Sequence, residues 1–91
     1  MNHSAHKLIH GIFSAEEASL ILNQIFSNKI RFHELKHFSH FERTGKPDKQ
    51  SIKRILELKK SQQKIGKLFT LAQKKNIKIK IDADIHLTLL K

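Results

Sequence analysis

From Ile77 to Leu89 every odd position is apolar, and the even positions stay polar up to Thr88. Ile77, Ile79, Ile81, Ala83, Ile85, Leu87 and Leu89 take the odd positions, and Lys78, Lys80, Asp82, Asp84, His86, Thr88 and Leu90 the even ones. A period of two puts all odd side chains on one side of an extended chain, so the pattern predicts one long, half-buried strand over about 77–90. Upstream the period changes. Ile55, Leu58, Gln62, Ile65, Phe69 and Ala72 alternate spacings of three and four, the narrow seam of a packed helical hairpin, within a helix expected over about 48–75. Pro47 suits its first turn and Asp48 its N-terminal cap.

The N-terminal half is patterned less cleanly. Residues 7–13 (KLIHGIF) read as a short strand, and Ser14-Ala15-Glu16-Glu17 fits a capping box that opens a helix. Ala18, Ile21, Leu22 and Ile25 keep the helical period for about four turns, and Ser27-Asn28 offers an exit. Leu35, Phe38 and Phe41 then predict a separate short helix from about Phe32 to Arg43, ended by Thr44-Gly45-Lys46-Pro47-Asp48. The sum is an α+β fold: short N-terminal strand, helix, short helix, long helix and long C-terminal strand, with helices on one face of a small sheet.

A fourteen-residue strand reaches roughly 45 Å, far beyond what a seven-residue partner covers. An exposed Ile-rich edge invites pairing with another chain. The expected outcome is a homodimer in which Ile79, Ile81, Ile85 and Leu87 lie on strands paired across a two-fold axis, giving at least four strands. The competing reading is a turn at Asp82-Ala83-Asp84 that makes a local hairpin.

Charge changes the picture further. Residues 46–80 hold twelve Lys and Arg against Asp48 and Glu57, which is the entire net charge of +10, while six bases and six acids cancel elsewhere. A charge confined to one segment makes a directional field that attracts a polyanion. Lys53, Lys60, Lys67 and Lys74 recur every seven residues opposite the seam, flanked by Lys49, Arg54, Lys64 and Lys75. Such a stripe could bind the phosphates of a nucleic acid, or an acidic protein, without reading sequence. The competing reading is a solvated lysine face: only three of the eighteen cations are Arg, and a Lys/Ile/Asn-rich mix also follows from an AT-rich genome. The 91 residues predict one domain, with 1–6 flexible. With no Cys, Trp or Tyr, no long apolar run and no secretory h-region, the expectation is a cytoplasmic protein without disulfides, membrane span or cofactor.

One segment resembles chemistry. His33-Glu34-Leu35-Lys36-His37 matches H-E-x-x-H, in which two imidazoles one turn apart hold zinc and the Glu activates water, and His40 adds a third imidazole. This makes a zinc-binding protein, conceivably a hydrolase, the alternative. Lys36 at an inner position and the missing downstream Gly context depart from zinc peptidases, and a His-rich chain meets the pattern by chance. No other catalytic constellation is visible, and the chain is read as a non-enzyme. Met1-Asn2-His3 could also hold Cu(II) in a square plane.

Phe13-Ser14-Ala15-Glu16-Glu17-Ala18, Lys29-Ile30-Arg31-Phe32-His33 and Glu42-Arg43-Thr44-Gly45-Lys46-Pro47-Asp48 with Ser51, Arg54, Ile55 and Glu57-Leu58-Lys59 resemble a group of small bacterial proteins of the Bacteroidetes type. The resemblance spans about residues 11–65. It carries no activity. It implies that the Arg43–Asp48 turn is a fixed element, with Phe32, His33, Arg43, Lys46 and Arg54 as the positions to test for a role there.

Overall fold

The computed structural model describes residues 2–91. The chain runs β1 (His3–Phe13), α1 (Ala15–Thr44), α2 (Lys49–Lys75) and β2 (Ile79–Thr88). The two strands form one antiparallel ribbon, and the two helices a hairpin.

The helix ends are where the local chemistry places them. Ser14 accepts from the Glu17 amide at 3.1 Å while the Glu17 carboxylate accepts from the Ser14 amide at 2.9 Å, the reciprocal box read in the sequence. Gly45 closes α1 in the left-handed region (φ 70°), its N–H donating to the Phe41 carbonyl at 2.8 Å. Asp48 caps α2 by accepting from the Ser51 amide at 3.2 Å and the Ser51 hydroxyl at 2.8 Å. Asn76 ends it, again left-handed.

Two expectations are corrected here. The predicted break at Ser27-Asn28 does not occur, and the predicted short helix is the second half of the continuous α1. Neither Gly nor Pro stands between Ala15 and Thr44, so helix propagation wins over the weak exit signal. Continuity also fixes the phase. Ala18, Leu22, Phe26 and Ile30 turn towards α2, and the same line carries on through His33, His37 and His40, leaving Leu35, Phe38 and Phe41 exposed. On α2 the predicted seam holds: Leu58, Phe69 and Ala72 are buried, and Ile55, Gln62 and Ile65 half-buried.

The second correction concerns the ribbon. The N-terminal strand starts at His3, not at Lys7, so residues 3–6, expected to be flexible, pair with β2. Pairing runs from His3 opposite Thr88 to Phe13 opposite Ile79, and the register shifts between Lys7 and Ile9, leaving Leu8 as a bulge. The bulge reverses the alternation, which hides the strand from a period-two reading. The hairpin at Asp82–Asp84 does not form, because β2 is continuous through those residues. With eleven residues in β1 facing ten in β2, the length mismatch that argued for a dimer is gone.

One face of the ribbon carries Ile9, Gly11 and Phe13 opposite Ala83, Ile81 and Ile79, followed beyond the bulge by His6 and Ser4 opposite Ile85 and Leu87. Only its first part meets the helices. Ala18, Phe69 and Ile81 form the buried centre, with Ile9, Phe13, Leu22, Ile65 and Ile79 packed around it. The molecule measures 50 × 36 × 15 Å. A thirty-residue helix is about 45 Å long and an eleven-residue strand about 37 Å, so the hairpin lies along the first dimension and the ribbon across it. The thickness is one layer of helix and one of strand.

Candidate functional site

The α2 edge facing away from α1 carries the predicted stripe. Lys53, Lys60, Lys67 and Lys74 are all exposed, one above the next at about 10.5 Å intervals, because seven residues at 1.5 Å rise return to nearly the same side of the helix. Lys49, Lys64 and Lys75 are exposed beside them, and Lys74 and Lys75 stand in the last turn, where the helix dipole favours cations. Arg54 reaches Glu57 at 3.9 Å, a loose pair one turn apart. None of the four stripe lysines makes an ion pair among the described residues. Sequence reading missed the exposed Leu56, Leu68 and Leu71 that interleave them. The edge therefore offers ammonium groups spaced by aliphatic surface. The signal was present, since these leucines fall outside the 3/4 spacing of the seam.

The histidines of the HELKH segment lie in the seam near the hairpin turn. Both ring nitrogens of His33 are shielded there without a hydrogen-bond partner. Burial lowers its pKa first, and Lys29, Lys36 and Arg54 add to this against the opposing charge of Asp48. His37 accepts from the Asp48 amide through Nδ1 at 3.1 Å, which commits that nitrogen and places the proton on Nε2. Hydrogen bonds from Ser51 hold the Asp48 carboxyl below its ordinary value, with smaller help from the charges of His40 and Lys36. The three imidazoles thus do not act as one set: His33 is unpartnered, while His37 and His40 lie close to Asp48. Among the described residues no group of three metal-binding side chains comes together. The Met1-Asn2-His3 site includes Met1, which lies outside the described residues; His3 Nδ1 lies 3.2 Å from Thr88 Oγ1.

The resemblance-derived positions separate. Arg43 stands in the last turn of α1, and Lys46 donates its amide to Thr44 Oγ1 at 3.1 Å, while Thr44 donates to the His40 carbonyl at 2.9 Å. These bonds make a tight turn. Phe32 lies about 16 Å away along α1, exposed, with Lys29 Nζ 4.9 Å from its ring centre. Of the four predicted dimer-strand residues, Ile79 and Ile81 belong to the core, whereas Ile85 and Leu87 lie beyond the hairpin. Asp82 and Asp84 share an imidazole: His10 reaches Asp82 through Nδ1 at 3.1 Å and Asp84 through Nε2 at 3.0 Å, and Lys80 stands 3.8 Å from Asp82. No family model, curated protein or solved structure matches the chain. Among the described residues no helix is long and apolar enough to cross a membrane.

Proposed function

We propose that this chain is a non-enzymatic, cytoplasmic binding protein that works as a homodimer and holds an acidic polymer, nucleic acid first, along the outer edge of α2. The observation that carries the reading is the line of four exposed lysines without an ion-pair partner. Lysines kept for solubility alone are usually interspersed with acids, and here Glu57 is the only acid within α2. A row repeating at about 10.5 Å meets a phosphate backbone at several points, and each contact releases counterions. Among the described residues the edge has no exposed aromatic, and the single Gln63 beside Lys60 and Lys67 is too little to read bases, so the binding is indifferent to sequence.

Fluorescence anisotropy of short labelled DNA and RNA across 50 to 200 mM salt tests it. Binding should persist near 150 mM, and changing Lys53, Lys60, Lys67 and Lys74 to Gln should flatten the log–log salt slope on duplex DNA by about 3.6, at roughly 0.9 per lost phosphate contact. An unchanged slope in the quadruple variant would remove the lysine edge from the function.

A further inference from the structure

Two rows of apolar residues, one on α1 and one on the ribbon, each run from the core into exposed surface. Ala18, Ile25 and Phe32 recur every seven residues on α1, so they form one line along the helix with only about 20° drift per step. Ala18 is fully buried between Ile81 of the ribbon and Phe69 of α2, whereas Ile25 is 40% and Phe32 54% exposed. On the ribbon the reverse happens. Its core-facing row continues past the hairpin to Ile85 and Leu87, which are 38% and 55% exposed. The hairpin lacks a sheet where the sheet lacks a hairpin.

The area is out of line with a monomer. A compact chain of 10.6 kDa exposes about 5,500 Å², whereas this one exposes 7781 Å². The surplus of about 2,300 Å² per chain, doubled for two chains, falls in the range of obligate homodimer interfaces.

We propose that a second copy of this chain supplies both missing layers: the ribbon end of each protomer, at Ile85 and Leu87, covers the Ile25–Phe32 line of the other. The exchange is reciprocal, so a two-fold axis closes it and no open filament results. Two ribbons then lie side by side over four helices. This rests on the homodimer named above and says which faces make it. The lysine edge points away from α1 and stays free in such a pair.

Charge gives the assembly a signature of its own. Each protomer carries +10, so salt that screens self-repulsion tightens the dimer, whereas the same salt weakens polyanion binding. Dimerisation and polyanion binding therefore fail separately.

Sedimentation at tens of micromolar should find twice 10.6 kDa. Phe32→Glu should raise the dimer dissociation constant by ~100-fold, because a charge is left buried without a partner. Leu20→Glu should leave it unchanged: Leu20 is 72% exposed in an open groove about 200° around the helix from Ala18, on the opposite face of the hairpin. Both sites are exposed, so far-UV circular dichroism should match wild type. The chain has no cysteine, which makes cross-linking unambiguous. A mixture of Phe32→Cys and Leu87→Cys chains should form the mixed disulfide. A 10.6 kDa species only, equal effects at Phe32 and Leu20, or a disulfide formed by Leu87→Cys alone in place of the mixed one would overturn the proposal.

Discussion

His33 presents shielded ring nitrogens to the seam, and the charges of Lys29, Lys36 and Arg54 act on it. Its folded pKa lies below the ordinary 6.5, so as pH falls the unfolded chain takes up the proton first. The stability this site lends is full above 6.5 and is lost as pH drops towards the lowered folded value. Asp48 and Glu17 act in the same direction in a more acidic window, below their ordinary 3.8 and 4.5, because hydrogen bonds from Ser51 and Ser14 favour the ionised form. Urea midpoints measured at fixed protein concentration should therefore fall between pH 7.5 and 5.5. His33→Leu should flatten that decline and keep or raise the midpoint at pH 7.5, since it removes two unsatisfied polar atoms. A variant with the wild-type slope would assign the decline to other groups. The spacing of His33, His37 and His40 was legible; their place was not. Motif matching fixes separation along a helix, while the side on which the set lands depends on the phase inherited from Ala18 through Ile30.

At the scale of elements, capping chemistry was read correctly because it is local. The box at Ser14–Glu17, the α2 seam and the β2 alternation each involve partners within a few residues or one unbroken period. Besides the weak exit at Ser27-Asn28 and the bulge at Leu8, the length of α1 and the start of β1 share a reason for being misread: their polarity follows what covers them. Ser4 and His6 stand on the core-facing side where no helix lies beneath, and three histidines replace apolar residues in the seam. Two glycines make a paired test of how the hairpin is built. Gly45 holds φ at 70° in the turn, so Gly45→Ala should cost about 1 kcal/mol and Gly45→Asn less. Gly66 sits inside α2 with open space where a Cβ would go, so Gly66→Ala should gain about 0.5–1 kcal/mol through helix propensity. Thermal denaturation of the two variants should move in opposite directions. A shared sign would mean that the hairpin turn or the groove beside Gly66 is packed differently from the description above.

For the whole molecule, the charge map was the most legible property, because net charge needs no fold to be counted. Its arrangement still needed the helix: only a continuous α2 gathers Lys53, Lys60, Lys67 and Lys74 on one edge and turns them away from the core. That arrangement opposes folding. Neighbouring stripe lysines about 10.5 Å apart repel one another, and among the described residues no acid is paired with any of the four to offset it. The quadruple Lys→Gln variant that should lose nucleic-acid binding should therefore melt higher than wild type, by roughly 2–5 °C in 20 mM salt and about 1 °C in 300 mM, where the screening length is shorter than the spacing. Binding and stability would then respond to the same four residues with opposite signs. Lysines that merely solvate the helix would give the stability gain without the binding loss. Lysines already neutralised by neighbours would give neither, and the salt dependence of the melting temperature separates the cases in one set of scans.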